Sequence, residues 1–337
     1  MKALRVVAFI ATAAAAALVF GQVQAEPLKL RIHWAQSPGH WPPLIAKAPT
    51  SVQIHYGKSY FVEPIFIAGS GPALQALAAG ELELSGLSPQ SIAIGINEAK
   101  LDLKVIGQQF STDVPGYAGN SFWVRKGEIK TIEELRGKTV GINARGSTID
   151  AAARTMLLRH GMTDGKDYQL VELRFPAQLA ALKSSRIDLA ILLRPFDLEA
   201  EKDPTLTPLF SMADSIGPTE TITFVGRGDF VKAHRAALVD FIEDNIRLRR
   251  WAAGPGHEEA VKLLSVIVKK PTADLEYAFT KGDSYRDPDA KVNVARMQKN
   301  IDDLVKVKLL NAGINAKAAV DSTIAEEAAK RVGPMTN

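Results

Sequence analysis

Short apolar runs alternate with helix-like patterns through most of the chain. Between the apolar runs, turns containing glycine or proline lead into segments whose apolar residues recur at helical spacing. One such segment begins at Pro42 and is predicted to remain helical to Val52. Because strands that alternate with helices are typical of parallel sheets covered by helices, the chain is predicted to have an α/β fold with mostly parallel sheets. The first predicted strands are residues 28–33, 60–67, 81–85 and 103–110.

The same alternation begins again near residue 121 and ends in a long helical region that starts at residue 229. The segment from Ala181 to Leu189 resembles the segment from Ala76 to Leu84, each being a helix, a tight turn and a strand that begins with an acidic residue. This internal similarity is explained by two similar lobes, each a small doubly wound sheet. The alternative is that helix-turn-strand units look alike by chance. The later predicted strands are residues 121–124, 139–143, 169–173, 188–193 and 221–225.

The first 25 residues differ in kind from the rest. Lys2 and Arg5 precede an uncharged run, residues 6–20, and small residues lead up to Ala25. This pattern predicts a Sec-type signal peptide that is cleaved after Ala25. The alternative is a membrane anchor, but the run is about 15 residues, whereas a bilayer span needs roughly 20. We therefore expect a protein that is exported to the periplasm, soluble and not lipid-anchored.

Composition excludes several kinds of chemistry. The 337 residues contain no cysteine, which excludes disulfides, thiolate metal sites and cysteine nucleophiles. The 41 basic and 37 acidic side chains nearly balance, and no run of basic residues suggests a nucleic-acid partner. No nucleophile elbow, paired-histidine zinc motif or phosphate-binding loop is present, so no catalytic residue and no metal ligand is predicted.

Several segments, in order, resemble a known family. They resemble type II periplasmic solute-binding proteins of ABC importers, in the branch that holds the sulfonate, taurine and nitrate binders and the NMT1/THI5-like group. The resemblance covers nearly all of residues 28–330. It rests on the turn Gly69-Ser70-Gly71, on residues 76–83, 132–141 and 146–148, on the second-lobe segment 181–190, and on Gly228-Asp229-Phe230-Val231.

This resemblance implies a periplasmic binding protein-like II fold, with two doubly wound lobes joined by two crossover strands and a ligand cleft between them. Lobe one would comprise residues 26–115 and 222–337, including the C-terminal helices, and lobe two residues 116–221. The chain would cross between lobes near residues 113–119 and again near 217–223. The implied function is capture of a small organic anion and its delivery to an ABC permease, by a monomer without cofactors. An exported enzyme and a ligand-presenting sensor are the alternatives.

Candidate ligand contacts follow from the rule that doubly wound sheets bind ligands beyond the carboxyl ends of their strands. Helix N-termini there present unpaired N–H groups that suit an anion. Ser70 and Gly71 precede one such helix, and Gly146, Ser147 and Thr148 precede another. The alternative for the hydroxyls is plain helix capping.

Other candidates follow the ends of predicted strands. Arg194 ends an apolar strand and would offer a planar fork of donors to a carboxylate or sulfonate, unless it is a surface or ion-paired arginine. Trp34 and Trp41 flank a turn-rich loop and would form a wall for an apolar ligand body, unless they pack within the lobe. An aromatic carboxylate is therefore expected ahead of a bare oxyanion, with alkyl sulfonates next. His40, Ser88, Gln109 and Arg145 complete the predicted site.

Overall fold

The computed structural model describes residues 26–35 and 39–335. The predicted signal peptide at residues 1–25 lies outside the described residues. Among the described residues, no helix is both long and apolar enough to cross a lipid bilayer.

Ten strands form the sheets of the described chain. The strands are β1 (Leu28–Trp34), β2 (Tyr60–Phe66), β3 (Leu84–Leu87), β4 (Leu103–Thr112), β5 (Ser121–Arg125), β6 (Thr139–Ile142), β7 (Gln169–Glu172), β8 (Ala190–Leu192), β9 (Leu206–Ser211) and β10 (Thr219–Arg227). A five-stranded sheet has the order β2-β1-β3-β10-β4, a three-stranded sheet the order β8-β5-β9, and β6 pairs with β7. A parallel bridge between Val140 and Leu189 links β6 to the chain just before β8.

Helices cover these sheets and make up the C-terminal third of the chain. They are α1 (Pro42–Ile45), α2 (Ser70–Ala78), α3 (Pro89–Asn97), α4 (Thr148–Arg159), α5 (Phe175–Lys183), α6 (Phe196–Glu201), α7 (Met212–Ile216), α8 (Gly228–Ala233), α9 (Arg235–Ala252), α10 (His257–Val268), α11 (Val294–Lys306), α12 (Ala316–Ala319) and α13 (Ser322–Val332). Single turns of 3-10 helix occur at Glu133–Leu135 and Thr272–Leu275. The mixed α/β fold predicted from the sequence is confirmed.

The prediction of mostly parallel sheets was wrong for the strands that lie next to the lobe crossings. Pairs β1–β2, β1–β3 and β6–β7 are parallel, but β10 is antiparallel to both β3 and β4, and β5 is antiparallel to β8 and β9. β10 carries the chain back from lobe two and therefore enters the five-stranded sheet from the opposite end. Thr112 at the end of β4 pairs with Thr219 at the start of β10, so the two segments predicted to cross between the lobes run side by side.

One helix end and one strand differ from the predicted bounds, and one strand was not predicted. The helix that begins at Pro42 ends at Ile45 rather than near Val52, because Pro49 disfavours helical backbone at the residue before it. The third strand begins at Leu84 and extends to Leu87, beyond the predicted 81–85. Strand β9 was not predicted; it contains Pro208, which lacks an N–H group and is tolerated because β9 lies at a sheet edge.

Two large clusters of buried hydrophobic residues pack within the two predicted lobes, and a third cluster brings Ala151 of α4 against residues of lobe one. One cluster packs the five-stranded sheet against α9 and α10 and includes Leu30, Ile32 and Phe241, all fully buried. Another packs β5, β6 and α4 and includes Phe122 and Leu157. The boundaries of lobe one and lobe two remain a prediction, and we keep these names for the segments defined above.

Candidate ligand-binding site

A cleft lies between the two lobes at the loops that follow the sheet strands. Its volume, including its opening to solvent, is about 790 Å³. It is lined from both lobes and from the crossover segments, so a molecule in it would touch both parts of the chain. Five of the predicted site residues line it: His40, Ser70, Ser147, Thr148 and Arg194.

Two helices begin at this cleft, one from each lobe. Ser147 caps α4, since its Oγ accepts a hydrogen bond from the Asp150 N–H at 3.2 Å and donates to Asn143 Oδ1 at 2.7 Å. Ser70 begins α2, and its Oγ accepts from the Ser88 N–H at 3.2 Å. Both hydroxyls are thus engaged in holding the loops. The backbone N–H groups of the first helical turns are what these helices can offer an anion.

Arg194 lines the cleft in lobe two and is held by acidic neighbours. Its Nη1 lies 3.0 Å from Asp197 Oδ2 and 3.1 Å from Glu201 Oε1. Burial raises the pKa of Asp197, and the Arg194 charge opposes that shift. Arg194 can donate to a ligand acid group, but that group would share the guanidinium with two carboxylates.

The remaining cleft wall is partly apolar, and the Asp283 carboxylate that also lines it lies 2.9 Å from Arg286 Nη1. Phe110 and Phe175 are buried and line it together with Leu193 and Met212. His40 is buried, with its ring 5.4 Å from the Phe110 ring. Burial lowers the pKa of His40 well below its ordinary value, and the nearby His33 and Arg286 lower it further. His40 is therefore neutral at pH 7 and can act as a hydrogen-bonding group rather than as a cation.

The two predicted tryptophan contacts lie outside this cleft. Trp41 is 6% exposed and packs in the core of lobe one, with its ring 5.3 Å from Phe279 and beneath the Arg286 guanidinium at 4.6 Å. Trp34 lies beside the cleft, where its ring meets Phe66 at 5.1 Å. The aromatic wall that the sequence assigned to the tryptophans is formed in the cleft by phenylalanines instead.

The other predicted residues do not line the cleft. Arg145 is half exposed, and its Nη1 lies 2.6 Å from Asp164. Ser88 caps α3. Gln109 is 4% exposed, and its side-chain amide has no hydrogen-bond partner among the described residues. Gly71 and Gly146 face each other where the two lobes meet.

The loops of the two lobes are in direct contact at one end of the cleft. The Gly146 carbonyl accepts hydrogen bonds from Ser91 Oγ at 2.8 Å and from Ser88 Oγ at 3.3 Å. A Cβ atom added to Gly71 would lie 2.3 Å from the Arg145 carbonyl oxygen. Glycine at position 71 thus permits an approach of the two backbones that any side chain would block.

A second space, here called the side compartment, opens next to the cleft and was not predicted. Its volume, including its opening, is about 880 Å³. Arg174 lies over the Phe66 ring at 4.7 Å, and Lys270 lies over the Phe196 ring at 5.8 Å. Phe66, Arg174, Phe196 and Lys270 lie in four separate segments of the sequence. Of the residues that line the compartment, Trp34 alone is among the ligand contacts predicted from the sequence.

One group of side chains away from the cleft has metal-ligand geometry. Ligand atoms of His55, Asp240 and Glu243 lie within 4.8 Å of one another. Arg331 lies 2.9 Å from Asp240, and Arg247 lies 2.7 Å from Glu243. These arginines already neutralise both carboxylates, so the cluster reads as an ion-pair network at the surface of lobe one.

Two α/β lobes that face each other across such a cleft define the periplasmic binding protein fold. A model of the NMT1/THI5-like family matches residues 62–244, more than half of the chain, and the chain belongs to this family. No curated protein matches it in sequence.

Solved structures with this fold include binding proteins and an enzyme. The alkanesulfonate-binding protein SsuA from Xanthomonas axonopodis pv. citri, bound to MOPS, is 17% identical, with a TM-score of 0.68, over 88% of this chain and 99% of that one. The nitrate-binding protein NrtA from Synechocystis PCC 6803 is 15% identical, with a TM-score of 0.68, over 91% and 89%. The desulfurization enzyme DSZB is 13% identical, with a TM-score of 0.61, over 90% and 99%. At these identities the likeness concerns the fold alone.

Proposed function

We propose that this protein is the periplasmic solute-binding component of an ABC importer. It captures a small organic anion in the cleft and delivers it to a permease in the inner membrane. The observation that carries the proposal is the pair of helix N-termini, of α2 and α4, which meet the cleft from opposite lobes. Family membership and the binding-protein structures with the same fold support it.

The proposed ligand is an aromatic carboxylate or sulfonate. Its acid group would accept hydrogen bonds from the first-turn N–H groups of α4 and from Arg194, and Ser70 and His40 would complete the polar wall. Its apolar body would pack on Phe110 and Phe175. The apolar side chains of the cleft wall favour such a molecule over a bare inorganic anion, which gains nothing from apolar walls.

Binding is proposed to close the two lobes about the paired crossovers. A ligand that contacts both lobes makes all of its contacts only when they are together, so it stabilises the closed arrangement. The proposed protein is a monomer that is exported by its N-terminal signal. An exported enzyme with this fold is the second candidate, because DSZB shares the architecture.

Calorimetry and product analysis together test this proposal. We expect benzoate-type acids or alkyl sulfonates to bind stoichiometrically and to be recovered unchanged. A ligand at 100 times its dissociation constant should stabilise the fold by about 2.7 kcal/mol in a thermal-shift screen. Turnover of a bound acid would favour the enzyme, and binding of nitrate alone would contradict the proposed ligand class.

A matched pair of variants tests the role of Arg194. Arg194→Gln should weaken binding of the captured anion at least tenfold, because a charge-assisted hydrogen bond contributes about 1.5–3 kcal/mol. Arg186→Gln is the control, since Arg186 is an exposed arginine of the same lobe that does not line the cleft. If the two variants bind the anion with equal affinity, Arg194 does not contribute to anion binding.

A further inference from the structure

The side compartment is an aromatic space whose walls come from both lobes. Lobe one contributes the end of β1, the end of β2 and the C-terminal turn of α10, and lobe two contributes the starts of α5 and α6. The apolar lining side chains are Trp34, Phe66, Phe175, Phe196, Ile267 and Val268. A wall built from two lobes is complete only when the lobes are together.

The compartment adjoins the cleft. Ala35, Asn143 and Phe175 line both spaces. Phe175 begins α5, which places its ring at the boundary between them. A flat ligand that reaches from the cleft into the compartment would therefore pass along the Phe175 side chain.

Two cations flank the compartment, and no acidic residue lines it. Arg174 and Lys270 each lie over a phenylalanine ring, and neither forms an ion pair among residues 26–35 and 39–335. A guanidinium or ammonium over an aromatic face remains able to donate hydrogen bonds from its edge. The compartment thus offers positive charge without a carboxylate among its lining residues.

Groups that can donate hydrogen bonds to an acid thus lie in both spaces, and Phe175 lines both of them. In the cleft these groups are Arg194 and the N-terminus of α4, and in the compartment they are Arg174 and Lys270. We propose, building on the solute-binding function above, that the ligand is an aromatic diacid. Its ring lies against Phe175 and Phe66, one acid group is held in the cleft, and the other pairs with Arg174 and Lys270.

The competing explanation is that the aromatic wall only packs the two lobes against each other. Replacing Phe66 distinguishes the two explanations. Phe66 is 38% exposed on strand β2, so its replacement by alanine should have little effect on the stability of the fold. Phe61 is the matched control. Phe61 is 36% exposed on the same strand and does not line the compartment. Because successive side chains of a strand point to opposite faces, Phe61 and Phe66 lie on opposite faces of β2.

The experiment measures the affinities of terephthalate, benzoate and propanesulfonate by calorimetry. We expect the parent protein to bind terephthalate at least tenfold more tightly than benzoate. The double variant Arg174→Gln/Lys270→Gln should lose that preference, and Phe66→Ala should weaken terephthalate binding about tenfold. Phe61→Ala and Arg186→Gln should bind all three probes as the parent does.

Each result separates this inference from the proposed function. Terephthalate binding that is unchanged in Phe66→Ala and in the double variant overturns the diacid subsite and leaves the solute-binding function standing. If propanesulfonate binds tightly and terephthalate does not bind, the diacid subsite is likewise overturned and the solute-binding function stands. Failure of every probe to bind overturns the diacid and also the proposed ligand class.

Discussion

Replacing Gly71 with alanine should hold the two lobes apart. Gly71 lies in the first turn of α2, and its backbone does not have the positive φ that only glycine adopts readily. The added methyl carbon would nevertheless lie 2.3 Å from the Arg145 carbonyl oxygen. Because this neighbour is backbone of the facing loop, no side-chain rotation can relieve the clash.

The size of the effect follows from the contacts that the loops would lose. Carbon and oxygen approach to about 3.3 Å, so the loops must separate by roughly 1 Å. Three hydrogen bonds cross this contact: Ser91 and Ser88 donate to the Gly146 carbonyl, and Asn143 donates to the Ala68 carbonyl at 3.2 Å. At about 0.5–1.5 kcal/mol each, their loss disfavours the closed arrangement by about 1.5–4.5 kcal/mol.

A ligand that needs both lobes should therefore bind about ten- to a thousandfold more weakly to Gly71→Ala. The free energy of unfolding should fall by less than the free energy of binding, because the lobes can separate without unfolding and alanine is favoured over glycine in a helix by about 1 kcal/mol. The measurements are calorimetric affinity, the scattering radius with saturating ligand, and denaturant unfolding. Gly313→Ala is the control, since its added carbon would meet neighbours at 3.7 Å or more.

One combination of results would refute this reasoning. If Gly71→Ala binds the ligand as tightly as the parent and reaches the same scattering radius, the contact between Gly71 and residue 145 plays no part in the bound state. A loss of affinity accompanied by an equal loss in unfolding free energy would instead indicate a damaged fold.

Two further predictions concern the crossover and the capped helix. Burial raises the pKa of Asp113 to about 6, although the Asn120 N–H opposes the shift. The folded chain thus prefers the protonated form, and stability from this group is lost as pH rises from about 4 to 6, by about 3 kcal/mol in all. Asp113→Asn should flatten that part of a urea-unfolding pH profile, and parallel profiles would contradict the assignment. Ser147→Ala removes the α4 cap and should lower the unfolding free energy by about 0.5–2 kcal/mol, measured without ligand; an unchanged value would mean that water replaces the cap.

Features that depend on neighbouring residues in the chain were predictable. Pro89 begins α3 behind the Ser88 cap, and Ser147 caps α4, because a hydroxyl followed by a helical pattern is a local signal. Strands β1 and β2 begin at the predicted residues because their side chains alternate between core and surface. The family resemblance also rests on such short segments, and the family model confirms it.

Features that depend on a partner strand were not predictable in the same way. Strand β9 is interrupted by Pro208, which weakens the local strand signal, and it is a strand because β5 supplies a ladder at the edge of its sheet. The direction of β10 is set by its return from lobe two, and no residue within it encodes antiparallel pairing. Strand direction is a property of the path of the chain.

The candidate site likewise has features that local sequence predicts and features that depend on contacts between distant segments. A hydroxyl or arginine at a strand end can be recognised from local sequence, and Ser70, Ser147 and Arg194 do line the cleft. The side compartment exists only in the folded chain, since Phe66 and Arg174 meet across two lobes and are more than a hundred residues apart in sequence. The sequence alone determined which loops are polar and where helices begin. Tertiary structure decided which of these loops face one another, because packing between distant segments sets the approach of the two lobes.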